Sequence, residues 1–422
     1  MTSKIFTGDM PELMENILNN LNDNISCLHS CALVSRFWSN MSIPILWSDP
    51  FSLSRTSSFI TRYFSSLNEH DSFVLDKWGI VVDFPNTLFH YARFLKVLDL
   101  FELYCKVDEW FYRFNNLRDD INTVTYDLAN LLFKLLIESS AALSKVEIYV
   151  SDEDVESVFD IKPEIFYSLG RNDYFFSQLQ ELKIFIKTVP CPQRIITLLK
   201  LLGDKAKKIN RLNLLGFNEE DPQLFHTVAY VVKSQEQLRS LNLLCSAIIP
   251  ALRCQHNSLR EIILDKCDFS NTNFNELRNY KNLEVIRIYG GIDTDRVLNI
   301  LDNNLHMINT LELNDYYSIN VSNMLQNLQK SGLLLQRLGL YSVQNEISSL
   351  PSLLETLISY CPNITYLNLS IIKLSDQFLN LIGYLQKLQF LSLKWIEDES
   401  EDESEEEMKS SIMKFAIIFT LF

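Results

Sequence analysis

Leu335-Gln336-Arg337-Leu338-Gly339-Leu340 and, further on, Ile364-Thr365-Tyr366-Leu367-Asn368-Leu369 carry apolar side chains at the same three places, the first, fourth and sixth of each six. Working outward, the triplet recurs toward the N-terminus as Ile308/Leu311/Leu313, Leu283/Ile286/Ile288, Leu259/Ile262/Leu264, Leu238/Leu241/Leu243, Ile209/Leu212/Leu214, Leu179/Leu182/Ile184, Leu143/Val146/Ile148 and Leu95/Leu98/Leu100. Toward the C-terminus it recurs as Leu388/Leu391/Leu393. A period sustained over most of a chain marks stacked supersecondary units, each unable to bury its apolar face alone. Within a unit the last two apolar positions alternate with polar ones, so they share one face of a short strand. Stretches between triplets, such as residues 228–232 and 321–328, have helical periodicity and return the chain to the next strand. The predicted fold is therefore α/β, a solenoid of parallel strands with helices on the other side.

From Leu179 onward the triplets recur at or just beyond the period of leucine-rich repeats, roughly 20 to roughly 29 residues, and this part of the chain resembles that family. That resemblance implies a horseshoe over residues 94–396, with a parallel sheet on its concave side and convex helices. The Asn or Cys three residues after the last Leu stands clearly only at Cys267; Phe217, Ser246, Tyr316 and Val343 occupy the other turns. Residues 51–93 are aromatic-rich without the triplet, either a linker helix or degenerate first repeats. The wide interval from Leu100 to Leu143 contains residues 126–136, read as a long helix on the convex side.

The first fifty residues read differently. In Met10-Pro11-Glu12-Leu13-Met14-Glu15-Asn16-Ile17-Leu18, Pro11 suits a first helical turn and Glu12 the positive end of the helix dipole. Leu13, Ile17, Leu18 and Leu21 fall on one helical face, and after a break at residues 22–24 a second amphipathic stretch places Leu28, Cys31, Ser35 and Trp38 on one stripe. Such a hairpin exposes more apolar surface than so small a unit can bury, so it is expected to dock on a partner. The order of Met10-Pro11, Ile17-Leu18, Val34-Ser35, Trp38 and Leu46-Trp47 resembles an F-box over residues 5–50, with Met10 in place of the usual Leu and Ser48 in place of a basic residue. The resemblance implies an SCF-type ubiquitin ligase receptor: Pro11, Leu13, Ile17, Leu18, Val34 and Trp38 would bind the Skp adaptor, and through it a cullin scaffold. A protein substrate would then bind the repeats. A scaffold of leucine-rich repeats without a ligase role is the alternative.

Side chains alternate along a strand, so residues flanking the apolar pair face away from the core. Arg287 and Tyr289, Glu312 and Asn314, Arg337 and Tyr341, and Tyr366 and Asn368 are the candidate substrate contacts, a mixture of arginines and tyrosines typical of binding hot spots. Composition sets exclusions. A net charge of −15 argues against nucleic acid, no stretch reaches the length of a membrane span, and the eight scattered cysteines suit a reducing compartment, cytoplasmic or nuclear. Residues 397–407 hold nine acids and no base, an expected solvated run in which Ser400 and Ser404 resemble acidophilic-kinase sites; an apolar tail completes the segment 397–422. No glycine-rich phosphate loop, metal pair or nucleophile elbow is present, so the chain is expected to be a non-catalytic subunit without cofactor or metal. Cys27 and Cys31 are read as buried structural thiols.

Overall fold

A computed structural model describes residues 11–22, 24–52, 55–80, 87–113, 121–150, 161–187, 192–216, 221–244, 246–270, 277, 279–293, 296, 307–315, 321–342, 351–371 and 376–395. Met10, the turn residues Phe217, Tyr316 and Val343, and the whole 397–422 segment lie outside them. The chain divides into two compact units, Met1–Arg211 with Glu220–Glu236, and Leu212–Glu219 with Gln237–Phe422.

The first unit begins with three helices, α1 (Pro11–Asn19), α2 (Ile25–Ala32) and α3 (Arg36–Leu46). The second amphipathic stretch is thus two helices, a correction to the expected hairpin. Its cause is local: the Ser35 hydroxyl accepts the Trp38 N–H at 3.3 Å, capping a new helix inside the expected one. Met14, Leu18, Leu28, Ile45 and Leu46 form a small core, with Leu21, Phe37, Trp38 and Trp47 packed against it. The described elements that begin within residues 51–93 are all helical: a 3₁₀ turn Ser57–Phe59, α4 (Ile60–Phe64), α5 (Glu69–Lys77) and a second 3₁₀ turn Tyr91–Phe94, joined by turns and irregular stretches. Trp47 stacks on Tyr91 with centroids 4.1 Å apart and meets Tyr63 edge-on at 5.3 Å, tying the opening helices to those that follow.

The strands then begin. β1 (Val97–Asp99), α6 (Leu100–Tyr112), α7 (Ile121–Glu138), β2 (Lys145–Val150), α8 (Pro163–Arg171), β3 (Glu181–Ile186), α9 (Pro192–Lys205) and α10 (Pro222–Lys233) complete the unit. Leu100 opens α6 instead of ending β1, because the Asp99 carboxylate accepts the N–H groups of Phe101 and Glu102 at 2.9 and 3.1 Å. The strands run parallel in the order β1, β2, β3, with Leu98 beside Val146 and Val146 beside Leu182, so the predicted triplets stand in register.

The second unit holds β4 (Arg211–Leu215, from Leu212 on), β5 (Ser240–Leu243), a 3₁₀ segment Ser246–Gln255, β6 (Glu261–Asp265), β7 (Val285–Tyr289), β8 (Thr310–Asp315), α11 (Val321–Ser331), β9 (Arg337–Ser342), α12 (Pro351–Tyr360), β10 (Tyr366–Ile371), α13 (Asp376–Tyr384) and β11 (Phe390–Trp395). Its sheet follows sequence order from β4 to β11, parallel and open, which is compatible with a solenoid. Triplet residues from Leu238 to Leu369 are buried to 5% exposure or less. A fixed joint precedes each strand from β6 to β11: two successive N–H groups donate to one carbonyl of the repeat before. Gln336 and Arg337 give theirs to Asn309 at 2.8 and 3.0 Å, and Thr365 and Tyr366 to Gln336 at 2.8 and 3.1 Å. In the first unit Lys96 and Val97 donate in the same way to Ser48, so the end of the opening helices starts the ladder. Among the described residues no helix is long and apolar enough to cross a membrane.

Candidate functional site

On α1, Met14 and Leu18 are one turn apart and point inward, while Leu13 and Ile17 share the neighbouring stripe and remain 42% and 41% exposed. Pro11 is exposed beside them. Leu33 and Val34, between α2 and α3, are exposed to 75% and 64%. Of the six residues expected to meet an adaptor, Pro11, Leu13, Ile17 and Val34 are therefore at the surface and Trp38 is half-buried. Leu18 is wholly buried in the module's own core, so it acts on a partner only through the fold. Leu33 was missed; its place directly before Val34-Ser35, where a cap ends helical regularity, is the signal that would have found it. Cys27 is exposed and Cys31 half-buried, which corrects the buried-thiol reading for Cys27.

The second candidate surface is the open face of the sheet in the second unit. Register places Arg287 beside Glu312, Tyr289 beside Asn314, Asn314 beside Tyr341, and Arg337 beside Tyr366. Asn368 lies beside Gly339, one strand further on from Glu312. All eight candidates are on this face; Arg337 is exposed and the other seven are half-buried. Arg287 is a bridge: its Nη1 donates to Glu261 and its Nε to Glu312 at 3.1 Å, while the Tyr289 hydroxyl donates to the same Glu312 carboxylate at 2.9 Å. The Ser240 hydroxyl holds the other oxygen of Glu261 at 2.7 Å. Partial burial works against the charge of Arg287, but the Glu261 hydrogen bond and the fields of Glu312 and Glu261 outweigh it and raise its pKa. Burial and the bond to Glu312 push the Tyr289 hydroxyl well above the ordinary tyrosine range, so it stays a neutral donor. The Arg337 guanidinium sits 4.1 Å over the ring of Tyr366, a cross-strand cation–π pair. Arg287 and Tyr289 thus stiffen the surface, whereas Arg337, Tyr341 and Tyr366 lie toward its other side.

A comparable patch on the first unit was overlooked. Tyr149 of β2 stacks on Phe185 of β3 at 4.7 Å with planes 5° apart, and Phe101 closes on Tyr149 at 5.4 Å. Beside them the Glu147 carboxylate receives Lys145 and Lys183, both at 2.8 Å. Burial alone would raise the Glu147 pKa; hydrogen bonds from the two lysines bring it below the ordinary value. The alternation rule that selected Arg287 and Tyr289 also selects Glu147, Tyr149, Lys183 and Phe185, so the sequence held this signal. A cleft of about 350 Å³ in the same unit is lined by Asn68, Asp71, His90 and Glu138, but Asp71 is already held by Lys134 at 2.7 Å. Among the described residues no group of three His, Cys, Asp or Glu side chains is placed to hold a metal.

Neither a scan against protein-family models nor a search of curated proteins finds a match for this chain. The functional reading therefore rests on these surfaces and on the sequence pattern.

Proposed function

We propose that the chain is an F-box protein with leucine-rich repeats, the substrate-receptor subunit of an SCF-type ubiquitin ligase in the cytosol or nucleus. The opening helices would bind the Skp adaptor and through it the cullin, the open strand face would bind a protein substrate, and other subunits would transfer ubiquitin. One observation carries this reading: the three-helix module completes a core of Met14, Leu18, Leu28, Ile45 and Leu46, yet leaves Pro11, Leu13, Ile17, Leu33 and Val34 outside it. Exposed apolar side chains of this kind, on a unit that already has its core, are what a docking surface would present. Pro11, Leu13, Ile17 and Val34 are four of the six positions at which the F-box resemblance implies adaptor contacts; Leu33 is not one of the six.

The test is co-purification of the tagged chain with Skp adaptor and cullin, followed by adaptor affinity. Leu13→Ala with Val34→Ala is expected to weaken binding by about 2 to 4 kcal/mol, roughly 30- to 1,000-fold, without changing the melting temperature. Unchanged affinity in that folded double variant would count against the adaptor surface. A wild-type chain that captures protein partners but neither adaptor nor cullin would instead be a leucine-rich-repeat scaffold.

A further inference from the structure

The arginines of the second unit's strand face stand in opposite states. Arg287 is already committed, since Glu261 and Glu312 share its guanidinium. Arg260, one residue before β6, is likewise met by Glu284 at 3.4 Å. Arg337 opens β9, is exposed, and has no carboxylate partner among the described residues. What it meets is the ring of Tyr366, 4.1 Å from its guanidinium carbon. That contact holds the side chain in place without cancelling its charge, and it leaves N–H groups for an oxygen acceptor.

Register fixes what stands around it. Thr310 of β8 and Tyr366 of β10 lie on either side of Arg337, and Asn368 lies diagonally across, beside Gly339. Gly339 has no side chain to come between them. The Asn368 side chain is half-buried and has no hydrogen bond among the described residues, so its amide is a second donor on the same face. Among the described side chains that β8, β9 and β10 place on this face, Arg337 is the one base and Glu312 the one acid, and Glu312 is held by Arg287 and Tyr289. Arg337 is therefore an uncompensated positive charge on this part of the sheet.

We propose that Arg337 sets the substrate class of this face: it takes the carboxylate of an Asp or Glu in an acidic segment of the partner protein, with Asn368 donating to the same group. Charge complementarity carries the choice, because the carboxylates of Glu261, Glu284 and Glu312 already hold other arginines. The guanidinium fork matches a carboxylate in charge and in shape. A phosphoryl group, with about two negative charges at neutral pH, is better met by several bases together, and this part of the face has one. The inference rests on that half of the preceding reading which puts a protein substrate on the strand face, and not on the adaptor.

The full chain is used to select binders from a displayed library of random short peptides, and the enriched sequences are synthesised for titration. The expected motif has an Asp or Glu at one position, and changing that acid to its amide weakens binding roughly 10- to 100-fold, as for a charge-assisted hydrogen bond. Arg337→Gln gives a loss of the same size, and the two changes together cost little more than either one. Arg337→Lys restores little, and Tyr366→Leu gives an intermediate loss. A motif without an acid, losses that simply add, or a phosphoserine version that binds more tightly than the acid would each overturn the proposal, as would a library that yields no binder. Should Arg337→Gln fail to fold, Tyr366→Leu decides, because its loss must disappear for the amide peptide. Adaptor binding is measured alongside: acidic-peptide binding without adaptor binding sinks the ligase reading alone, and the reverse sinks this proposal alone.

Discussion

Arg287 illustrates how a residue chosen for binding can first serve the fold. Its planar guanidinium reaches two carboxylates on two neighbouring strands, Glu261 and Glu312, and all three side chains are largely covered. Arg287→Ala would leave both acids without their shared cation, and hydrogen bonds to charged groups contribute about 1.5 to 3 kcal/mol each. Chemical denaturation is expected to show a loss near that size. Lys at the same position should restore little, since a point charge lacks the fork that spans both acids; full rescue by Arg287→Lys would mean that charge alone matters. In the first unit, Asp71 gives a pH-dependent case. Burial pushes its carboxyl up, but hydrogen bonding from Lys134, its field and a bond from Asn68 outweigh this, so its pKa falls below the ordinary 3.8. The hydrogen bond to Asp71 leads the causes that raise Lys134 above 10.5. A depressed acid stabilises above its unfolded pKa and loses that contribution as pH falls through the folded value; a raised lysine stabilises below 10.5 and loses it at higher pH. Asp71→Asn should thus be most destabilising between about pH 5 and 9, and its deficit should shrink as the pH drops below about 4. A deficit independent of pH would assign the effect to shape instead.

At the scale of elements, strands were easier to read than the helices that join them. Each triplet marked a strand because two alternating apolar positions between polar neighbours have a short-range cause. Helix limits depended on single side chains: Ser35 split an expected helix, and Asp99 drew Leu100 out of β1. Burial on α1 was legible only as a stripe, and which side of the stripe faced inward needed the partner helices, hence the misplacement of Leu18. Packing between connecting helices was not legible at all. A methyl group at Gly332, just beyond α11, would lie 2.5 Å from the carbonyls of Leu328 and Tyr360 and 2.7 Å from Cys361 Sγ. Two of these are backbone atoms near the ends of α11 and α12, so there is little that can yield. Gly332→Ala is expected to lower stability by about 1 to 3 kcal/mol, the usual range for overpacking. The Cys361 thiol, whose pKa burial pushes up to about 12, would become more reactive to a thiol reagent as this contact loosens. Unaltered stability and thiol reactivity would contradict the close approach.

At the scale of the whole chain, each strand is stabilised by the strands on either side, so damage should spread by neighbours. Leu338 of β9 is fully buried and stands in register with Leu311 of β8 and Leu367 of β10. Leu338→Ala removes side-chain atoms from a closed layer and should cost about 2 to 5 kcal/mol. If stability is assembled from adjacent repeats, hydrogen exchange will quicken most in β8, β9 and β10 and progressively less toward β5. The paired amides of Gln336 and Arg337 on Asn309, and of Thr365 and Tyr366 on Gln336, are the sensitive reporters, because each joins one repeat to the next. Equal loss of protection in every strand of the second unit would mean that it opens as one cooperative block. In that case the repeating sequence pattern would describe how the unit is built without describing how it comes apart.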